Sequence, residues 1–330
     1  MLLAVLILIA SVASLAIALR PAQSAAWMTL QPVIRADFPD PDILVVDGVF
    51  YAYATNADGK HIQVARSHDL EQWNMLPDAL PILPDWASSS GEQVWAPAVL
   101  KINDQYVMYY TAHDQASDRQ CIGVATSLRP EGPFHDTRAL PFVCPSSLGG
   151  AIDASPLHDG DQLYLYFKSD GNCCGLKTHI WGQELAADGL SLLGKPVSLL
   201  SNDQSWEGSV VEAPQMLKHD GAYYLFYSGN DYANAHYAVG YAHCQSPLGP
   251  CIKPTKPGSS PLIASPDGYT SSLVGPGGED IFQQGNVTWI AFHAWPVSFD
   301  GQLGQGRYML IARLEWHGDQ PVVLRHQTRS

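Results

Sequence analysis

The stretch Val211–Gly229, "VEAPQMLKHDGAYYLFYSG", reads as two short strands meeting at a His-Asp-Gly turn, with an acid, Glu212, at the head of the first. An aromatic run of period two follows Asp220-Gly221, the pattern of an antiparallel hairpin. A carboxylate where a buried strand begins needs a reason.

The stretch recurs in looser form from Asp40 ("DPDILVVDGVFYAYATN"), Trp95 ("WAPAVLKINDQYVMYYTAHD"), Asp153 ("DASPLHDGDQLYLYFKSDG") and Glu279 ("EDIFQQGNVTWIAFHAW"). Each copy is a short run, often with a proline, then a turn signal, then an aromatic alternation. The turns at Gly48, Asp104, Gly160, Gly221 and Gly285 lie at intervals of about 60 residues, which leaves room for four strands per unit, the dimension of a propeller blade. Further short strands such as "HIQVARS", "CIGVATS", "HIWGQEL" and "YAVGYAHC" fill the gaps, and no long helical period interrupts them. The expectation is an all-β chain: a single five-bladed β-propeller over residues 27–330, with about four antiparallel strands per blade. An α/β fold would need helices between its strands, and only the N-terminal segment could supply one.

That segment, residues 2–19, carries no charge and leads into "RPAQSAAW", where Ser24 and Ala26 suit a signal-peptidase site. Residues 1–26 therefore read as a signal peptide, and the mature chain as secreted or periplasmic. The run is also about the minimum length for a membrane span. An uncleaved anchor is the alternative, and membrane contact is expected only in that case.

A formal charge of -14 and the lack of a basic stripe exclude nucleic acid as a partner. Six cysteines form an even set whose pairing the sequence does not fix. Cys244 and Cys251 flank a tight loop, and the adjacent Cys173 and Cys174 either bridge each other or pair elsewhere. There is no CxxC pair with zinc-site spacing, and neither a GxGxxG nor a P-loop motif, so no classical cofactor is required.

In a propeller the first strand of each blade lines the central channel. The strand heads hold Asp40, Trp95, Asp153, Glu212 and the pair Glu279-Asp280, so carboxylates from separate blades face one funnel. Bringing like charges together raises their pKa values at a cost in free energy, a clustering that marks functional sites. Two carboxyls across a funnel, one protonated and one ionised, suit glycoside hydrolysis, and Trp95 offers a flat wall for a sugar ring.

The motifs "FPDPDI", "WAPAVL", "GAIDASPL", "VEAPQM", "GPGGEDIF" and "AFHAW", in this order from about Asp37 to Trp316, resemble the signature of glycoside hydrolase family 43, the inverting propeller arabinosidases, arabinanases and xylosidases. The resemblance implies that Asp40 is the general base, Glu212 the general acid and Asp153 the third carboxylate that tunes and orients Glu212. It also implies that Arg307 lies near the acids, with Arg313 turned away, and that His293 is the axial histidine that in many members contacts a calcium ion. Glu207, five residues before Glu212, falls in a connecting loop and is expected to contact substrate. Two places depart from the commoner pattern: Ala154 stands where a proline usually follows the third acid, and Gly278 where many members have a histidine.

The blocks "KSDGNCCG", "NDQSWEGSVVEAPQM" and "YSGNDYANAHYAVGYAHC" look most like the exo-acting α-L-arabinofuranosidase branch, whose substrate is α-1,5-linked arabinan of the plant cell wall. Loops that block one end of the groove would make such an enzyme exo-acting, and Gly171 to Lys177 and "NDYANAHY" are the candidates. A β-D-xylosidase and an endo-arabinanase are the enzymatic alternatives. A sugar-binding propeller without catalysis is the alternative from another class, though it needs no acid-base pair.

Overall fold

The computed structural model describes residues 30–88, 93–255, 260–265, 272–298 and 301–324. The proposed signal segment lies outside them. Among the described residues no helix is long and apolar enough to cross a membrane.

Blade 1 is β1 (Asp42–Val46), β2 (Val49–Ala54), β3 (Gln63–Ser67) and β4 (Asn74–Met75). Blade 2 holds three strands, β5 (Val94–Ile102), β6 (Gln105–Asp114) and β7 (Arg119–Ser127). Blade 3 is β8 (Ala151–Asp159), β9 (Gln162–Ser169), β10 (His179–Leu185) and β11 (Leu192–Ser201); blade 4 is β12 (Val211–His219), β13 (Ala222–Gly229), β14 (Ala238–Cys244) and β15 (Cys251–Ile252). Blade 5 is β16 (Leu273–Gln284), β17 (Val287–Pro296), β18 (Tyr308–His317) and β19 (Gln320–Leu324). Every blade is an antiparallel meander, and the hairpins turn where the repeats place them. The missing fourth strand of blade 2 has a local cause. Pro130, Pro133 and Pro141 interrupt the segment beside β7, where only the bridges Thr126–His135 and Ile122–Val143 form, because proline has no N–H to give to a ladder.

The inner strands β1, β5, β8, β12 and β16 each pack against their neighbours, and β16 returns to β1. Closure removes the sheet stack's open ends. The interior is five apolar clusters, one at each blade interface: Tyr53, Val64, Met108 and Tyr110 between blades 1 and 2, for example, and Phe50, Ile43, Phe282 and Ile311 between blades 5 and 1. Tyr and Phe of the repeating aromatic runs fill these seams, which is why the alternation in the sequence is so heavily aromatic. Three disulfides form, Cys121–Cys144, Cys173–Cys174 and Cys244–Cys251.

The inner strands share a kink. Asp40, Ala96, Asp153, Ala213 and Gly278 occupy one repeat position and all have positive φ, from 42° to 58°. In blades 2 to 5 the kink coincides with a one-residue bulge, as between Trp95 and Ala98 or between Glu212 and Gln215. A bulge re-aims side chains, and here it turns two consecutive residues of each strand toward the axis.

Candidate active site

The kinked position supplies Asp40 from blade 1 and Asp153 from blade 3, while the residue before it supplies Trp95 from blade 2 and Glu212 from blade 4. All four line one cavity of about 320 Å³ at the channel mouth, together with Arg307, Glu279 and Lys168. Two positions beyond the kink a second ring lines the cavity floor, Asp42, Ala98, Ser155, Gln215 and Asp280. Its acids tie neighbouring blades together: Asp42 accepts the Val99 N–H at 3.0 Å and Asp280 the Ile43 N–H at 2.9 Å.

Four of the five kinks have their backbone N–H answered by the preceding blade from one repeat position, on its second strand or, for Thr55, one residue past it. Ala96 donates to Thr55 Oγ1 (2.9 Å), Asp153 to Thr111 Oγ1 (3.3 Å), Gly278 to Ser228 Oγ (3.0 Å) and Asp40 to His293 Nδ1 (3.1 Å). The fifth such position, on β9, is Lys168.

Asp40 is set up as an anion. Burial opposes its charge, but Arg307 with Nη1 at 3.3 Å, His293 and the Thr55 hydroxyl at 2.6 Å outweigh it and hold the carboxyl well below the usual range. Asp153 is the reverse: burial first, then the charge of Glu212, push it up to about 8, against the pull of Lys168. It accepts the Ala213 N–H at 2.9 Å. Glu212 is buried and takes two donors, Tyr237 Oη at 2.8 Å on Oε1 and Lys168 Nζ at 2.9 Å on Oε2. Carboxyls in one funnel whose environments push Asp40 down and Asp153 up are the kind of split that separates a base from an acid.

A sequence model described as "Glycosyl hydrolases family 43" matches residues 29–321. The chain belongs to this family. The family 43 chain is 26% identical over 317 residues to the extracellular endo-alpha-(1->5)-L-arabinanase 1 of Bacillus subtilis, covering 91% of each chain. It is 31% identical over 235 residues to the beta-D-galactofuranosidase xynD of Aspergillus niger, a match that spans 66% of this chain and 64% of that protein's length. The solved structure of a thermostable family-43 glycoside hydrolase superimposes with a TM-score of 0.79 at 30% identity, over 91% of this chain and 97% of that one.

The family 43 propeller brings together Asp40, Asp153, Glu212, Trp95 and Arg307. The guanidinium of Arg307 also rests on Tyr232 and Trp295, with centroid distances of 4.9 and 5.8 Å, whereas Arg313 pairs with Glu315 on the exposed face of β18. Gly278 has a clear cause: a Cβ there would lie 2.6 Å from both Asp40 Oδ1 and the His293 ring.

Glu207 corrects the expectation. It is fully buried in a 3₁₀ turn, Ser205–Glu207, outside the cavity lining. One oxygen takes the Tyr227 hydroxyl and Lys253, and the other takes the N–H groups of Asp203 and Gln204, so it braces the loop before β12 and has no face left for substrate.

His293 is wholly buried, and its Nε2 has no partner among the described residues, a geometry that fits a single ligand atom. The only group of three metal-capable side chains among the described residues is Asp114 with Cys121 and Cys144, whose sulfurs are joined to each other. An ion beside His293 would have this one protein ligand and otherwise water.

Sequence reasoning missed Lys168, Tyr237, Thr55 and Ser228. The signal for Lys168 was present: a lone cation ends the aromatic run "LYLYFK" at the same repeat position as His293 in "WIAFH".

Proposed function

We propose that this family 43 enzyme is a secreted, inverting, exo-acting α-L-arabinofuranosidase that removes terminal arabinose from α-1,5-linked arabinan or its oligosaccharides. The observation that carries the reading is the division of labour among the three acids: Asp40 is held ionised by Arg307 and His293, while Asp153, beside Glu212, is pushed up to about 8. Ionised Asp40 takes a proton from water as the water attacks the anomeric carbon. Glu212 gives its proton to the departing glycosidic oxygen on the opposite side, and Asp153 fixes the strand that carries Glu212. Arg307 holds Asp40 in place, and Trp95 presents its ring to the sugar.

Exo action is favoured by the two loops named from the sequence. The first contributes Asn172, from the turn Gly171–Cys174, to the cavity wall, and the second contributes Tyr232 and Tyr237, from the segment before β14. The named activities of the B. subtilis relative favour an endo reading of the same site. The extracellular naming of that relative also supports export. A calcium ion beside His293 would be held by Nε2 and would supply positive charge behind the histidine that contacts Asp40; no proton transfer passes through it.

The test is a time course on linear α-1,5-arabino-oligosaccharides and, in parallel, β-1,4-xylo-oligosaccharides, with the first-formed anomer read by NMR. Arabinose released singly with inverted configuration supports the proposal. Mixed shorter oligomers support endo action, xylose a β-D-xylosidase, and no product from any glycan a sugar-binding protein.

A further inference from the structure

Four blades place an acceptor behind the kink of the next blade: Thr55, Thr111, Ser228 and His293. Blade 3 places Lys168 there, and an ammonium group has no lone pair with which to accept. The kink amide of Ala213 is therefore taken by Asp153 instead. Lys168 is 1% exposed and turns its Nζ to Glu212 Oε2 at 2.9 Å and Asp170 Oδ1 at 3.2 Å. The fold does not ask for a cation here, since a hydroxyl or an imidazole serves the other blades, and burying one is costly unless it is paired. What blade 3 alone must do is face Glu212.

We propose that Lys168 is the positioning residue of the general acid: it holds the Glu212 carboxyl toward the cavity and stabilises the carboxylate that Glu212 becomes on giving up its proton. This rests on the reading of Glu212 as the acid. In the step itself the Glu212 proton goes to the glycosidic oxygen as the C–O bond breaks, water delivers its proton to Asp40, and Lys168 keeps all three of its own. Asp170 braces Lys168 from behind and begins the turn that carries Asn172 and the Cys173–Cys174 bridge, so the acid's counter-ion is tied to the rim of the cavity. The charged and titratable groups around Glu212 are Lys168 and Asp170 from the end of β9, Asp153 from β8, Tyr237 before β14, Glu279 from β16, His293 from β17 and, across the funnel, Asp40.

The test compares kcat against pH for wild type, Lys168→Met and Asp170→Asn on two substrates: the oligosaccharide that wild type cleaves, and the matching 2,4-dinitrophenyl glycoside, whose leaving group needs no proton. Lys168→Met is expected to lose about 10- to 100-fold on the oligosaccharide and little on the aryl glycoside. Its alkaline limb should move up by about one pH unit or more, because removal of a cation in contact with a carboxyl makes that carboxyl a weaker acid. Asp170→Asn should move the same limb down, since it removes an anion and leaves Lys168 to Glu212 alone. Equal losses on both substrates with the limb unmoved would overturn the proposal and leave Lys168 a packing role. Should Lys168→Met fail to fold, a limb in Asp170→Asn that stays put or rises overturns it as well. A wild-type enzyme inactive on every glycoside, or Glu212→Gln fully active on the oligosaccharide, sinks the underlying reading instead.

Discussion

Asp153 Oδ2 accepts the amide hydrogen of Ala213 at 2.9 Å, which bonds the third acid of the funnel to the residue directly after Glu212. Orientation of the acid and tuning of its proton thus pass through one carboxyl. Asp153→Asn keeps an acceptor for Ala213 but removes the charge beside Glu212. Its melting temperature should stay near wild type while kcat on oligosaccharides falls by about 10²-fold. Asp153→Ala should lose a similar amount of activity and, in addition, about 1–3 kcal/mol of stability through the unanswered amide. In wild type, kcat/KM should fall above about pH 8, where burial and the charge of Glu212 no longer hold a proton at Asp153. Equal melting temperatures for the two variants would show that the bond to Ala213 is not needed.

Glu207 and Glu212 lie five residues apart and should separate cleanly by mutation. Glu212→Gln keeps the shape of the side chain, and activity on substrates with poor leaving groups should drop about 10²- to 10⁴-fold, with the fold intact by circular dichroism. Glu207→Gln breaks the buried contact to Lys253 at 2.6 Å and should lower thermal stability, leaving kcat on an aryl glycoside close to wild type. The reverse pattern would return the acid role to Glu207.

Buried acids also set the pH dependence of stability. Burial pushes Asp153 and Glu279 up to about 8 and Asp280 to about 7, whereas in the unfolded chain such carboxyls titrate near 4. Between about pH 4 and 8 the folded state therefore holds protons that the unfolded chain has lost, and unfolding becomes easier as pH rises. Asp40 runs the other way: its contribution is present above about pH 4 and lost below it, as the pH approaches its depressed folded value. The melting temperature should peak near pH 4 to 5 and decline toward pH 8. A melting temperature that climbs steadily from pH 5 to 8 contradicts this account.

The propeller was legible because its hairpin turns and aromatic alternation are local signals repeated five times, and closure follows from repetition. Asp40, Asp153 and Glu212 were legible because acids at strand heads break the apolar pattern. Glu207 misled because a loop position in the sequence does not reveal that four donors surround it. Lys168 and Tyr237 escaped because their roles are pairwise across blades: Lys168 on β9 meets Glu212 on β12, a contact that periodicity along one strand does not encode. Blade 2 stops at three strands because the prolines beside β7 have no N–H to give to a ladder, a signal that the repeat pattern alone does not carry.

Gly278 gives the sharpest steric test of how the funnel is assembled. Its φ of 58° and the 2.6 Å approach of a built Cβ to Asp40 Oδ1 and to the His293 ring leave no room for a side chain. Gly278→Ala should cost about 1 kcal/mol or more from the backbone alone, since alanine is strained at positive φ. The new methyl must also push Asp40 away from Arg307, now 3.3 Å from it, or displace His293 from the Asp40 amide. Either shift misplaces the base, so kcat should fall by about 10²-fold. Steady-state kinetics beside a thermal melt checks both parts, and a variant with wild-type kcat would show that the base tolerates displacement.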